Sequence, residues 1–535
     1  MKVILAGYNI DYETIMDLED LCEDLEELTP ETIAAAYARI SRSHRAVHEL
    51  RAAARGEVDK ARQSNRNIVF EMGHSSIAEH AVFNVDVLGV SRLLVEDIEK
   101  FRLCSYTEKS QRYVLFKDDF VIPAEIKKAG LEAPFTEIIR LQNEYYHACY
   151  ERLRPYVFAK HPDLAADPSN RTLLEGWAKE DARYAIALAT ETQLGMTLNA
   201  RNLELMLRRL AAHPLAEARD FSAALFKGTK SVAPSLVRYT EATDYDRLTR
   251  QELREMVSAL KPSKPLQPLE NDIYCHSGFD PESRQSLKNM ESVPVFAGVT
   301  RRKDERVVPG EAAATPSSED LPTVALVHAT PDADLRVLAG LIHSSSDRSL
   351  TECFILAGQM DEQQRQDMMR AALRHIRSYD PVLREFEHVD LLFELTVSAS
   401  CFAQLKRHRM ATLTVQDYDP ALGVTVPPAI REIGMEESFL DIMTRTNEIY
   451  GQMRKTAFAA APYILTNAHR RRVAMKVNAR ELYHMARLRA DRHAQWDIRE
   501  LTEKMLAAAR SVMPLTLLLA TGKDGFDDLY RQTYK

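Results

Sequence analysis

The sequence predicts a fold that contains the same mixture of strand and helix twice, in two halves joined by a linker. An apolar strand opens each half, at residues 3–6 and 324–327, and leads to a Thr-Pro-acidic triplet at 29–31 and 330–332. That triplet favours a helix start, because Thr caps free amides, Pro fits the first turn and a carboxylate suits the helix dipole. Each half later carries Asn-Ala-Arg before a Leu-rich stretch. Matches in the same order indicate an old duplication.

The remaining elements follow from composition and periodicity. Apolar spacing predicts helices at 33–54 and 481–492, and the segment 114–179 has a largely helical pattern. Between the halves, KPSKPLQP and VPGEAAATPSSED are typical of a linker. We therefore expect a first domain at 1–245, a linker at 246–320 and a second domain at 321–535.

Composition indicates an ordinary globular protein. The chain has 535 residues, 45% of them hydrophobic and 28% charged, and a net charge of −8. Its apolar runs are too short to span a bilayer, and its start predicts a first strand instead of a signal peptide, so we expect a cytoplasmic protein. The acidic balance argues against broad nucleic-acid binding.

The six cysteines lack the spacing of a zinc site or a disulfide framework. We expect reduced structural thiols at Cys22, Cys104, Cys149, Cys275, Cys353 and Cys401.

In the second half, Gln404, Arg407, His408 and Arg409 place cationic groups beside an amide. Arginine can hold a phosphate or a carbonyl-bearing ring in a bidentate manner, and glutamine can recognise a pyrimidine edge. A solvated basic helix face is the alternative interpretation of such a charge run.

In the first half, Glu108, Ser110 and Arg112 alternate along the chain, which predicts that they share one face of an extended strand. An acceptor, a hydroxyl and a guanidinium in a row suit a phosphorylated sugar. On spacing alone, the polar outer face of an antiparallel strand is the favoured alternative.

Upstream, the segment 73–80 contains His74, Ser76, Glu79 and His80. The two histidines have no standard metal-ligand spacing, and polar contacts at the start of an element are commoner. We therefore expect no metal site.

Together these segments resemble the flavin-dependent thymidylate synthases, whose signature RHRxxSxNExSxRY follows a GHxSxxEH element. The first half matches GHxSxxEH and ExSxRY, but it has KFR at 100–102 and Asp97 where the family has Gln. The second half keeps QxxRHR but loses ExSxRY, since Val415, Asp417, Asp419 and Pro420 stand there. Its residues 478–495 are similar to the C-terminal NxRxL...LRxxxxAQ stretch of the family.

Two further family arginines divide in the same way. The arginine that polarises the pyrimidine ring falls on Arg489, whereas the first half has Leu210. A second nucleotide-contacting arginine falls on Arg183, whereas the second half has Pro462. Since the losses are complementary, we expect one composite site built from both halves.

The resemblance implies α+β halves, each with a mixed or antiparallel sheet flanked by long helices. It also implies reductive methylation of dUMP to dTMP with FAD, NADPH and methylenetetrahydrofolate, and a homodimer that mimics the family's tetramer. Arg489 is the expected catalytic group. The resemblance implies that the substrate is bound by Gln404, Arg407, Glu108, Ser110, Arg112, Arg183 and Arg489. It implies that the cofactor is bound by His74, Ser76, Arg407, His408, Arg409, Glu108, Asn199, Arg201, Asn478 and Arg480.

Two other functions stay open. The Phe101 and Val415 replacements support a catalytically silent flavin- or nucleotide-binding protein of the same descent. The basic run 470–472 is the starting point for an RNA-binding alternative, which the acidic net charge disfavours.

Overall fold

The structure is a computed structural model that describes residues 1–10, 29–40, 45, 47–71, 75–112, 114–260 and 323–534. It divides into two compact units. The first comprises Met1–Ser263, Val397–Met410 and Gln416–Arg471, and the second comprises Lys264–Thr396, Ala411–Val415 and Arg472–Lys535. The first unit therefore combines the first sequence half with two segments of the second half.

The described elements of the first half are, in chain order, β1 (Lys2–Tyr8), α1 (Glu31–Ile40), α2 (Val47–Arg55), α3 (Val58–Arg66), β2 (Val82–Ser91), α4 (Arg92–Ile98), β3 (Ser105–Glu108), α5 (Ala124–Lys128), α6 (Glu132–Lys160), α7 (Pro162–Ala165), α8 (Arg171–Ala182), β4 (Glu191–Asn199), α9 (Ala200–Ala211), α10 (Ala216–Thr229), α11 (Asp244–Arg247) and α12 (Thr249–Ala259).

The second half continues with β5 (Val324–Ala329), α13 (Ala333–Ser344), α14 (Leu350–Gln359), α15 (Glu362–Leu373), β6 (Asp390–Ser398), α16 (Ala399–Leu405), β7 (Thr412–Val415), α17 (Pro428–Glu432), α18 (Glu436–Thr456), β8 (Arg470–Asn478), α19 (Ala479–Arg489), α20 (Trp496–Arg510) and α21 (Phe526–Tyr534). Short 3-10 turns connect several of these elements.

The first sheet has the strand order β1-β2-β4-β3, and its neighbouring strands are antiparallel. Side chains alternate along β2, where Phe83, Val85 and Val87 are buried while Asn84 and Asp86 are exposed. This period of two is what a sheet with one covered face requires. The buried side chains of β2 face the core, and β2 leads directly into α4.

The second sheet repeats that topology with the order β5-β6-β8-β7. The strand order therefore occurs twice, although within the described residues four helices lie between β3 and β4 and only two between β7 and β8. The predicted α+β class with antiparallel sheets is confirmed.

The core of the first unit contains apolar side chains from both sequence halves. Phe83, Phe135 and Phe221 of the first half belong to the same buried cluster as Tyr463 and Ile464 of the second. Burial of one such side chain contributes roughly 1.5–3 kcal/mol. The second-half segments in this unit are thus part of its core.

The predicted helices agree with the structure except at their ends. The helix predicted at 33–54 corresponds to two helices, α1 and α2. Residues 41–44 and 46, between them, lie outside the described residues. The helix predicted at 481–492 ends at Arg489, and 114–179 contains α5 to α8 as expected. Most of the expected linker at 246–320 lies outside the described residues, although α12 falls at its start.

One predicted helix cap is wrong. The hydroxyl of Thr330 donates to the carbonyl of Asp390 at 3.2 Å instead of capping α13, and Asp332 stands at the N-cap position with φ of 52°. Across the described ranges, every helix is too short or too polar to cross a membrane.

Candidate functional site

Two turns of the same design position the candidate motifs. The hydroxyl of Ser91 accepts the Leu94 amide at 3.0 Å where β2 passes into α4, and Ser398 accepts the Cys401 amide at 2.9 Å where β6 passes into α16. A serine N-cap of this kind stabilises the first helical turn. The KFR and RHR segments follow directly after these two helices.

Matching segments of the two repeats pair within the first unit. The Leu188 amide donates to the Leu465 carbonyl at 2.7 Å, and the Asn467 amide donates to the Ile186 carbonyl at 3.0 Å. The antiparallel bridge between Ala187 and Thr466 lies at the centre. Ala187 precedes Asn199 by as many residues as Thr466 precedes Asn478, so the repeats meet about a local two-fold axis.

The second repeat's QxxRHR segment presents two exposed and two buried side chains. Gln404 and His408 are buried, whereas Arg407 and Arg409 are exposed. Exposed guanidinium groups at this spacing are accessible to a phosphorylated ligand, to which they can donate charge-assisted hydrogen bonds.

Lys406 lies within the same segment but is buried. Its ammonium lies 2.9 Å from the Glu99 carboxylate of the first repeat. Burial opposes ionisation of Glu99, yet Lys406, assisted by Arg92 and Arg407, lowers the pKa of this carboxyl. Burial also lowers the pKa of the Lys406 ammonium, and the contact between these two groups joins the two repeats.

Glu108 of the ExSxRY segment is held from two sides. Its Oε1 lies 3.3 Å from the Arg92 guanidinium and accepts from the Thr192 hydroxyl at 3.4 Å. Only 5% of the Glu108 side chain is exposed. A buried carboxylate needs such partners, since an unpaired one is strongly disfavoured.

The extended strand predicted through Arg112 is wrong beyond Glu108. Strand β3 ends there, and the Arg112 amide donates to the Ser110 hydroxyl at 3.2 Å. This local side-chain contact turns the backbone, as serine commonly does at the end of an element. Ser110 and Arg112 therefore lie in a turn and do not continue the strand face of Glu108.

An excess of positive charge lies next to that turn. Arg112 forms an ion pair with Glu180, whose negative charge also acts on Arg183. Arg183 is 5% exposed, and within the described part of the chain its Nε and Nη2 atoms have no hydrogen-bond or ion-pair partner. Burial lowers the pKa of this guanidinium, although arginine stays charged at any physiological pH. A buried unpaired cation favours an anionic ligand.

The other predicted site residues have defined places. His74 lies outside the described residues, and Ser76 is exposed on the 3-10 helix Ser75–His80. Asn199 and Asn478 cap α9 and α19 through their side chains. Arg489, half-buried, is the last residue of α19 in the second unit.

Two predicted cofactor-binding arginines form ion pairs in the structure. Arg201 pairs with Glu79 beside the start of β2. Arg480 pairs with Glu387 at 2.9 Å and donates to the Val382 carbonyl at 2.9 Å.

In the second repeat, the segment that matches ExSxRY makes different contacts from those of the first repeat. Tyr418 donates its hydroxyl to Glu96 at 2.8 Å, and its ring centroid lies 4.0 Å from the Arg471 guanidinium. Arg471 also pairs with Glu96 at 2.8 Å. All three are buried. Here the buried cation already has an internal carboxylate partner.

Sequence reasoning missed several buried charged groups, namely Arg92, Glu96, Glu99, Glu180, Lys406 and Arg471. One signal was present, because Glu99 and Lys406 stand at the same distance after the capping serines and carry opposite charges. Opposite charges at matching positions of a duplication indicate that the repeats face each other there.

The fold and these contacts define a duplicated α+β protein whose first unit contains a buried group of arginine and glutamate side chains. The model of the thymidylate synthase complementing protein family, Thy1, matches two segments, residues 24–235 and 325–515. The chain belongs to this family.

Curated relatives are of two kinds. UPF0159 protein Ta1429 of Thermoplasma acidophilum is 21% identical over 492 residues, which cover 86% of this chain and 88% of that protein. A flavin-dependent thymidylate synthase of Clostridium tetani is 30% identical over 214 residues, which cover 39% of this chain and 82% of that protein. One relative thus spans both repeats, whereas the other has the length of one.

Two solved structures also match, each at 21% identity. The UMP/dUMP methylase PolB from Streptomyces cacaoi, bound with 5-Br dUMP, has a TM-score of 0.30, with 38% of this chain and 96% of that chain covered. The flavin-dependent thymidylate synthase ThyX from Helicobacter pylori, complexed with FAD and dUMP, has a TM-score of 0.26, with 44% and 100% covered.

Proposed function

We propose that this chain is a flavin-dependent thymidylate synthase that converts dUMP to dTMP at a composite site built from both repeats. The observation that carries the proposal is the buried Arg183 guanidinium beside the Arg112–Glu180 pair, since its Nε and Nη2 have no hydrogen-bond partner among the described residues. A nucleotide phosphate supplies the negative charge that this cluster lacks.

Substrate binding divides between the repeats in this proposal. Arg112 and Arg183 hold the phosphate, and Ser110 donates to a phosphate or sugar oxygen. Glu108 accepts from the nucleotide, and Gln404 recognises the pyrimidine edge. Lys406, between Gln404 and Arg407, is ion-paired to the first repeat, which supports placing both motifs at one site.

The cofactor-binding proposal rests on exposed cations. Arg407 and Arg409 are exposed on either side of buried His408, an arrangement that fits the negative phosphates of FAD. The remaining cofactor-binding candidates are His74, Ser76, Glu108, Asn199, Arg201, Asn478 and Arg480. When bound, FAD supplies hydride chemistry, with NADPH as reductant and methylenetetrahydrofolate as the one-carbon donor.

The protein's own chemical task is to make C5 of the uracil ring nucleophilic. A fixed cation next to the ring stabilises the anion formed when N3 loses its proton, and we propose Arg489 for this role. A cysteine nucleophile is not required. Burial raises the pKa of Cys149 to about 12 and also raises that of Cys104, which disfavours thiolates at both positions.

The second candidate function is a catalytically silent nucleotide- or flavin-binding protein. Phe101 in the first repeat and Val415 in the second replace residues of the family motifs. A relative that spans both repeats has a name that states no activity. This candidate predicts ligand binding without turnover. For either function we propose a cytoplasmic homodimer, which light scattering of the purified chain tests.

The deciding experiment is a dUMP-to-dTMP assay with methylenetetrahydrofolate and NADPH on purified protein, together with its flavin absorbance spectrum. Arg183→Ala is expected to weaken dUMP binding, and Arg489→Ala to lower kcat by about a hundredfold or more. Arg140→Ala, on an exposed face of α6, is the matched control. Bound flavin without turnover in the wild type favours the silent candidate.

A further inference from the structure

Arg92 is a buried cation that belongs to none of the motifs identified in the sequence. It is the first residue of α4, only 2% exposed, and its guanidinium lies 3.3 Å from Oε1 of Glu108. The other polar neighbour of that oxygen is the Thr192 hydroxyl at 3.4 Å. Among the described side chains, Arg92 is therefore the cation that neutralises Glu108 directly.

Arg92 is also linked to an ion pair between the two repeats. The charge of Arg92 also acts on Glu99, whose carboxylate pairs with Lys406 at 2.9 Å. Arg92, Glu99, Glu108 and Lys406 thus form a four-charge cluster of two cations and two anions. It lies within a larger buried network, because Glu96, the partner of Arg471, also acts on Arg92 and Lys406. Because Glu108 belongs to ExSxRY and Lys406 lies between Gln404 and Arg407, this four-charge cluster connects the two motif segments.

The local duplication shows that the fold itself does not require the pair. Ala399 occupies the position of Arg92 in the second repeat, and Val415 occupies that of Glu108. Both charges are replaced there, although strand order and helix cap are the same. The cation and the carboxylate were therefore kept or lost together.

We propose that Arg92 is a positioning residue of the nucleotide site, which fixes Glu108 and, through Glu99 and Lys406, holds the two motif segments together. The inference rests on the proposed function, since Glu108 is assigned to substrate binding there. Without Arg92, Glu108 is a buried carboxylate without its cation, and it must turn away, recruit water or become neutral.

The test compares two buried arginines that each pair with a buried glutamate. Arg92→Met removes the cation but keeps most of the apolar stem, and Arg92→Lys restores a charge. Arg471→Met is the matched control, because Arg471 belongs to the same buried charge network but pairs with Glu96 and not with Glu108. Calorimetric titration of the full chain with dUMP gives the affinity, while flavin absorbance and thermal unfolding report cofactor content and stability.

Arg92→Met is expected to weaken dUMP binding about tenfold or more, the scale of a lost charged contact, while Arg92→Lys regains most of that loss. Arg471→Met is expected to lower the unfolding temperature but to change dUMP affinity by less than about twofold. Arg92→Met combined with Glu108→Gln removes both charges, so it folds even if the single variant does not. Its loss of dUMP affinity is expected to be clearly smaller than the sum of the losses in Arg92→Met and Glu108→Gln.

Wild-type affinity in Arg92→Met, an equal loss in Arg471→Met, or additive effects of Arg92→Met and Glu108→Gln would overturn the positioning role and leave the proposed function intact. A wild-type protein that binds no dUMP overturns both.

Discussion

The Glu99 carboxylate and the Lys406 ammonium lie 2.9 Å apart, at matching positions of the two repeats. Both side chains are nearly inaccessible, at 6% and 5% exposure. If each repeat faced a second copy of itself, the same positions would bring two carboxylates or two ammonium groups together. The opposite charges therefore favour the pairing of unlike repeats.

Removal of one partner is expected to destabilise the protein far more than removal of both. Lys406→Met leaves the Glu99 carboxylate without its ammonium, which costs about 3–5 kcal/mol of unfolding free energy. Glu99→Met combined with Lys406→Met costs less, because no orphaned charge remains. Urea unfolding of the three proteins measures this. Additive losses in the double variant would show that the two groups act independently.

His469 makes stability depend on pH. The ring is fully buried, its Nδ1 accepts the Thr466 amide at 2.8 Å, and its Nε2 contacts Asn447 Oδ1 at 2.9 Å. Burial lowers the pKa of His469 from 6.5 to about 4. Because the unfolded chain binds this proton more readily, the contribution is complete above pH 6.5 and declines as pH falls toward 4.

The expected loss from this histidine is about 3 kcal/mol over that interval. The measurement is the unfolding free energy of wild type and His469→Gln at several pH values. The glutamine variant is expected to lose less stability on acidification. Parallel curves for the two proteins would rule out the histidine as the source.

Tyr463 connects the second repeat to a helix start of the first. Its hydroxyl donates to Glu217 Oε2 at 2.6 Å, and the same carboxylate accepts the amide and hydroxyl of Ser91 at 2.8 and 2.7 Å. Tyr463→Phe is expected to cost about 1.5–3 kcal/mol, since the lost bond is to a charged acceptor. Tyr450→Phe is the control, because its hydroxyl contact with the Tyr418 carbonyl is 3.5 Å long. Chemical denaturation should separate the two variants; equal losses would contradict a special role for Glu217.

Gly522 allows the chain to pass close to the end of α19. A Cβ atom there would lie 2.6 Å from the Ala490 carbonyl carbon and 2.7 Å from the Asp491 nitrogen. Both are backbone atoms, so Gly522→Ala is expected to shift the segment after Arg489 and cost about 1–3 kcal/mol. If Arg489 acts as proposed, kcat also falls.

Gly228 in α10 is the control for that substitution. A Cβ there meets no atom within 4 Å, so Gly228→Ala is expected to be neutral or to stabilise by about 0.5–1 kcal/mol. Thermal unfolding and turnover of the two variants provide the comparison. An unchanged unfolding temperature in Gly522→Ala would mean that the segment adjusts at little cost.

Local sequence patterns predicted much of the fold correctly. The opening strands β1 and β5, the largely helical pattern of 114–179 and most of α19 follow from periodicity and capping residues, which act over a few positions. The errors occurred where one side chain changed the local backbone. Ser110 turns the chain after β3, and Thr330 bonds to Asp390 instead of capping α13.

The candidate site was predictable only in part. Motif spacing identified Arg183 and Arg112, but it gave no sign that two buried guanidinium nitrogens of Arg183 have no hydrogen-bond partner in the described part of the chain. Motif spacing also did not identify Arg92, because a lone arginine at a helix start has no distinguishing pattern.

Local sequence patterns showed that the chain repeats itself, and its resemblance to a known family implied α+β halves between which the motif residues divide. Period, capping and motif spacing are local properties, so they do not report which charges meet in the folded chain. Two ion pairs bring together distant parts of the chain, namely Arg92 with Glu108 and Lys406 with Glu99. Their side chains are buried, so loss of one partner leaves a charge that water does not stabilise. The same desolvation leaves Arg183 in need of an anion, since in water any arginine has partners.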